Sequence, residues 1–188
     1  MSTLTSSDTA PAAETTSALR RLYVTRFAFA LTWAVATILV ISAQDDPAAL
    51  PTAVVALFVL YPLFDVAATI ADLRSTRSRS TALRVNLAVS VLATVGVAIA
   101  GTSGVPAVLR VWGAWAIVAG LAQLAVAITR RGLSGQVPMI ISGSVSALAG
   151  AAFIAMASQD GATLTAAASY AIPGGILFLV SALRLGRR

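Results

Sequence analysis

The chain has 188 residues, 58% of them hydrophobic and 11% charged, with mean hydropathy +0.89 and a formal net charge of +6. A soluble domain of this size carries roughly a quarter charged residues, so most of this surface must face lipid. The sequence holds no Cys and no His. That excludes disulfides, thiolate and imidazole metal sites and every nucleophile–histidine arrangement, and neither a cofactor nor an enzymatic activity is expected.

In chain order, "MSTLTSSDTAPAAETTSA" is polar, rich in small residues and acidic. It lacks the basic start of a cleaved signal peptide and reads as a disordered cytoplasmic tail over 1–19. Six apolar stretches follow, near 22–42, 51–73, 82–101, 107–128, 137–157 and 164–184. Each has about the 20 residues that a membrane-spanning helix needs. Residues 20–188 therefore read as one six-helix transmembrane domain.

All 13 basic residues are Arg, which with the high Ala content fits a GC-rich bacterial genome. Arg20, Arg21 and Arg26 precede the first span. Arg74, Arg77, Arg79 and Arg84 fall at the second connection, Arg130 and Arg131 at the fourth, and Arg184, Arg187 and Arg188 at the C-terminus. The alternate connections hold Asp45, Asp46 and Asp160, and Arg110 is the one arginine out of pattern. Positive loops stay inside, so both termini are expected in the cytoplasm of a bacterial inner membrane. No aromatic residues interleave with these arginines to stack bases, so lipid head groups are the expected partner rather than nucleic acid.

The spans also repeat. "PLFDVAATIADLR" from Pro62, "GLAQLAVAITRRG" from Gly120 and "GILFLVSALRLGR" from Gly175 align without gaps. So do "RFAFALTWAVATILVI" from Arg26, "RVNLAVSVLATVGVAI" from Arg84 and "PMIISGSVSALAGAAF" from Pro138. Offsets are 58 then 55 for the even spans and 58 then 54 for the odd ones, which brings Thr32, Ser90 and Ser144 into coincidence. The expected fold is all-α: three parallel copies of a helical hairpin (about 22–73, 82–128 and 137–184) with approximate pseudo-threefold symmetry about the membrane normal.

In lipid, helices associate by close packing over small residues. Gly143, Ala147 and Gly150 form such a face on the fifth span, Gly113, Ala116 and Gly120 on the fourth, and Gly174 and Gly175 open the sixth. Trp112 and Trp115 read as anchors at the outer interface and Tyr23 as one at the inner, whereas Trp33 belongs in the bundle.

Tyr61, Asp65, Thr69 and Asp72 stand at i, i+4, i+8 and i+11 of the second span, one polar stripe. Asp72 aligns with Arg130 between repeats, and the two are a candidate ion pair at the inner rim. Asp65 lies about 10 Å deeper, at 1.5 Å per residue. A charge at that depth costs at least ~2.5–3.5 kcal/mol on insertion scales, so Asp65 should point inward and find a cation or donors. Its repeat counterparts are Gln123 and Phe178, which suggests a lopsided polar pocket lined by Asp65, Gln123, Tyr61, Thr69, Thr32, Ser90 and Ser144. Two readings stay open: an interhelical clamp, or a site for a proton or ligand.

Taken together, "YPLFDVAATIADLR", "WAIVAGLAQLAVAITRR", "ISGSVSALAG" and "YAIPGGILFLVSALRLGRR" resemble the HdeD-type acid-resistance membrane proteins. The resemblance covers nearly everything after the tail. It implies six spans in the cytoplasmic membrane and, for some members, a link to acid or general stress. The short loops, the small-residue seams and the scarcity of polar residues inside fit a non-enzymatic role in stress or envelope support, through a partner or self association such as a homo-oligomer. The resemblance implies no catalytic residue. The alternative function is a small proton-coupled transporter or channel using Asp65.

Overall fold

The computed structural model describes residues 9–46, 50–76 and 80–185. Arg77, Arg79, Arg187 and Arg188 lie outside them, as do residues 1–8. Six helices account for almost all of it: α1 Thr9–Ser42, α2 Thr52–Ser75, α3 Thr81–Ala100, α4 Val105–Thr129, α5 Gln136–Met156 and α6 Thr165–Arg184. Each is long and apolar enough to cross a membrane. The chain reads as an integral membrane protein.

The N-terminal expectation needs correction. Residues 9–19 are not an irregular tail but the first three turns of α1, and Leu19 is fully buried against Tyr23, Ala127, Met139, Ala182 and Leu185. Leu19, Leu22 and Tyr23 give these turns an apolar edge, and packing that edge on the other helix ends offsets the weak helix preference of the Thr and Ser residues beside it.

Consecutive helices run antiparallel and pack side by side, and α6 closes back on α1, so the main contacts trace a ring. The seams are uneven: α4–α5 and α6–α1 are the most closely packed, α1–α2 and α5–α6 the loosest, and α2–α3 and α3–α4 are nearly equal between them. One end of the ring carries Arg20, Arg21, Arg74, Arg84, Arg130, Arg131 and Arg184, and the other carries Asp45, Asp46 and Asp160.

The α4–α5 seam is the tightest, and glycine is the reason. A Cβ placed on Gly113 would stand 2.5 Å from the Gly150 carbonyl oxygen, and one on Gly150 equally 2.5 Å from that of Gly113. Seven residues along, Gly120 and Gly143 make the same reciprocal approach at 2.7 Å. The two backbones touch wherever the missing side chains allow. At the turn into α5, Gly135 adopts φ +84° and its carbonyl accepts a 2.6 Å hydrogen bond from Ser181 Oγ. Gly174, by contrast, has nothing within 4 Å of an added Cβ and is no packing contact, while Gly175 sits against Ala30.

Three tryptophans meet inside the ring. Trp33 stacks on Trp112 at 5.5 Å between centroids, Trp115 lies edge-on to Trp112 at 5.1 Å, and Phe58 and Tyr61 complete the cluster. The expected interfacial anchoring of Trp112 and Trp115 is therefore wrong: both are buried. Their indole N–H groups need partners away from water, and Trp115 finds one in Ser90 Oγ at 3.0 Å, as Trp33 does in the Leu57 carbonyl at 2.6 Å. Tyr23 is likewise buried, against Phe178.

Adding a methyl at the α4–α5 seam forces backbones apart, and overpacking of this kind costs about 1–3 kcal/mol. Gly113→Ala and Gly120→Ala should each lower the thermal midpoint of the detergent-solubilised protein by several degrees. Gly132→Ala, where an added Cβ meets nothing within 4 Å, should leave it unchanged. Equal midpoints for all three would remove the seam from the account.

Candidate functional site: a charge-paired cavity

Asp65 sits near the middle of α2, ten residues before its last residue Ser75, and three neighbours converge on its carboxylate. Arg26 Nη1 from α1 lies 2.7 Å from Oδ1, while Asn86 Nδ2 and Ser90 Oγ from α3 lie 2.7 and 2.8 Å from Oδ2. Asn86 also donates to Thr69 Oγ1 at 2.9 Å. With Trp115 on Ser90, this makes one continuous network across α1, α2, α3 and α4. The carboxylate is only 6% exposed, and each of its oxygens has a charged or neutral donor. A buried carboxylate needs this degree of pairing to stay ionised.

The sequence predicts a cation or hydrogen-bond donors at Asp65, and the cation is Arg26. The charge pattern places Arg26 among the arginines that precede the first span. It is instead 17 residues into α1, on the same face as Tyr23, Ala30 and Trp33, and its guanidinium carbon stands 5.3 Å from the centre of the Phe178 ring. The signal that could have identified Asn86 was its rarity. It is the sole Asn in the chain, placed in an apolar helix one turn from Ser90.

About two turns nearer the arginine-rich end, Asp72 and Arg130 meet as a bidentate pair. Arg130 Nη1 and Nη2 stand 2.9 and 2.7 Å from Asp72 Oδ2 and Oδ1. The side chains are 8% and 13% exposed, no more than those of the Arg26–Asp65 pair, and they stand at the arginine-rich ends of α2 and α4. Thr76 Oγ1 donates to the Asp72 carbonyl at 2.7 Å. Burial opposes the charge on Arg130, but the hydrogen bonds and negative charge of Asp72 outweigh it and raise the guanidinium pKa above its ordinary value.

Between these two pairs the ring encloses a cavity of about 130 Å³. Asp65, Thr69, Asp72 and Tyr61 line it from α2, Arg26 and Tyr23 from α1, and Gln123 and Arg130 from α4. Gln123 Nε2 also reaches the Met139 carbonyl at 3.3 Å. Water of a few molecules would fit, since each needs about 10–15 Å³ of such space and polar partners.

Two of the expected lining hydroxyls are elsewhere. Thr32 is exposed on the outer face of α1, and Ser144 is half-buried and does not line the cavity. Ser90 is buried within the network. The hydroxyls that α5 turns inward are Ser142 and Ser146, and the hydroxyl that α1 buries is Thr37. The cause is register. Buried and cavity-lining positions in the odd helices recur at offsets of 60 and 56, as in Arg26, Asn86 and Ser142 or Ala30, Ser90 and Ser146. The sequence alignment used 58 and 54. Two residues turn a helix by about 200°, so the slip exchanged the inner face for the outer. In the even helices the offset of 58 holds, and Asp65 and Gln123, Thr69 and Ala127, and Asp72 and Arg130 all face the cavity.

No protein-family model, curated protein or solved structure matches the chain. The functional reading therefore rests on the residues and their geometry.

Asp72→Arg and Arg130→Asp each leave two like charges at the rim. Each should destabilise the fold by an amount near the low end of the roughly 3–5 kcal/mol seen when a buried pair is broken. The exchanged double variant should recover most of that loss. Thermal midpoints or expression yields of the four proteins decide it, and independent, additive effects would deny the contact.

Proposed function

We propose that this chain is a non-enzymatic integral membrane protein of the bacterial cytoplasmic membrane. In this reading it serves acid or envelope stress in the manner of the HdeD-type proteins it resembles, and both termini are cytoplasmic. The observation that carries the proposal is the saturation of Asp65. A carboxylate held by an arginine and two neutral donors acts as a clamp joining three helices, whereas a proton carrier needs a carboxyl free to change its charge. The short connections on both sides leave little mass outside the bilayer, so action falls to the bundle and to what associates with it: lipid, a partner or a second copy.

Triplication is part of the proposal. The recurrence of inward positions at 60 and 56 in the odd helices and 58 and 55 in the even ones supports three parallel hairpins. The arginine-rich end is assigned to the cytoplasm by the positive-inside rule.

The second reading, a small proton-coupled transporter or channel, is favoured by one observation: Asp65 lines an internal cavity. Removing both charges of the Arg26–Asp65 pair separates the two. Arg26→Met alone strands a buried carboxylate and should cost about 3–5 kcal/mol. Arg26→Met combined with Asp65→Asn keeps a carbonyl acceptor for α3, and stability should return to near wild type. Under the clamp reading the double variant also restores acid survival or envelope integrity to a deletion strain. A well-folded double variant that leaves the strain as sensitive as the deletion would favour the transport reading.

The absence of native cysteine makes topology directly testable. In intact cells, Ser103→Cys and Ser158→Cys at the acidic end should react with a membrane-impermeant maleimide. Gly132→Cys at the arginine-rich end should react only after lysis. The opposite pattern would invert the assigned orientation.

A further inference from the structure

The interior cavity is bordered by four formal charges, yet it is electrically quiet, because the charges cancel where they stand. Arg26 faces Asp65 at 2.7 Å, and Arg130 faces Asp72 at 2.9 and 2.7 Å. An additional charge brought inside would find neither guanidinium nor carboxylate unengaged, and would lose its hydration with nothing equivalent in return. The remaining wall is of two kinds. Tyr61, Trp112, Trp115 and Tyr170 supply aromatic surface, while Gln123, Ser142 and Ser146 supply neutral donors and acceptors.

We propose that this cavity is a binding site for a small uncharged organic molecule of about phenol size, with one flat apolar face and one hydrogen-bonding end. Size follows from the volume: the cavity measures about 130 Å³, and an apolar void of about 150 Å³ accepts benzene. Flatness follows from the aromatic walls, which favour offset or edge-on ring contacts. The polar end follows from Gln123, whose bond to the Met139 carbonyl is long at 3.3 Å and is readily exchanged for a ligand hydroxyl. A predominantly apolar cavity with a few convergent polar groups is the usual form of a small-molecule site. The site does not depend on the function proposed above, since occupancy requires neither transport nor a role in stress.

Gly174 offers a clean test. It lines the cavity, and an added Cβ there meets nothing within 4 Å, so Gly174→Leu fills the space without pressing on backbone. Ala119→Leu, also in the lining, is the second occluding variant. The probe is para-fluorophenol, followed by fluorine NMR with the purified full-length chain in detergent micelles and with empty micelles as background. The wild-type protein should broaden the fluorine signal saturably, and unlabelled phenol should reverse the effect. Both occluding variants, with unaltered thermal midpoints, should weaken binding at least about tenfold, which corresponds to roughly 1.4 kcal/mol. Para-fluorobenzenesulfonate and para-fluorobenzylammonium should show micelle background only. Broadening of the wild-type sample that does not saturate, or that matches empty micelles, overturns the proposal whatever the variants do. So does undiminished binding to a folded occluded variant, and equal binding of the charged analogues overturns the assignment of a neutral ligand.

Discussion

A carboxylate buried inside a membrane-spanning bundle organises this molecule. Asp65 lies in a helix that must cross a hydrocarbon layer, where an uncompensated charge costs several kcal/mol. That cost can be met only by donors from other helices, so the three groups that converge on Asp65 also determine which helices are neighbours and at what height. Arg26 fixes the rotation of α1, Asn86 and Ser90 fix that of α3, and Trp115 on Ser90 extends the constraint to α4. Apolar packing alone would specify this poorly, since lipid solvates a leucine as well as another helix does. The polar network supplies specificity, and close backbone contact supplies much of the attraction.

The two devices occupy different parts of the ring. The polar network joins α1 to α4, while α5 and α6 carry no charged residue in their apolar interiors. There, contact comes from Gly113 with Gly150 and Gly120 with Gly143. A seam made of glycine draws two helices together until backbone meets backbone. A seam bridged by arginine, tyrosine and tryptophan holds them further apart. The cavity lies between the charge-paired side chains of α1, α2 and α4 and the small residues Ala116, Ala119, Ala171 and Gly174 that leave space opposite them.

Six spans, the arginine-rich end and the glycine face of α4 and α5 were legible in the sequence because each depends on composition or on spacing within one helix. The Asp72–Arg130 juxtaposition was legible for a different reason: α2 and α4 match along their length at the one offset of 58, and matched positions come together at the rim. Partners on the odd helices were not legible. The connections differ in length, with nine residues between α1 and α2 and four between α3 and α4. An ungapped alignment of alanine-rich helices tolerates a shift of two residues with little loss of similarity, yet such a shift reverses the face of a helix. That slip draws Thr32 inward, whereas Arg26 reads as outside for another reason, its place among the arginines that mark the inner end. Trp112 and Trp115 were misplaced because tryptophan near the end of a span usually marks an interface, and sequence does not reveal a serine on the next helix ready to accept an indole hydrogen.

The interior is lopsided in its charge. At the level of Asp65, α4 and α6 present Gln123 and Phe178, and Phe178 lies under the Arg26 guanidinium rather than offering it a second acid. At the level of Arg26, α3 and α5 present Asn86 and Ser142. Charge thus declines around the ring, through amide to hydroxyl in the odd helices and through amide to aromatic ring in the even ones. Three identical acids around an axis would repel one another and could not all remain ionised. A single acid with a single base at this level leaves it neutral, and the other helices are then free to carry hydrogen-bonding and aromatic surface. That division of labour lets the interior be polar and still stand, without net charge, in the bilayer.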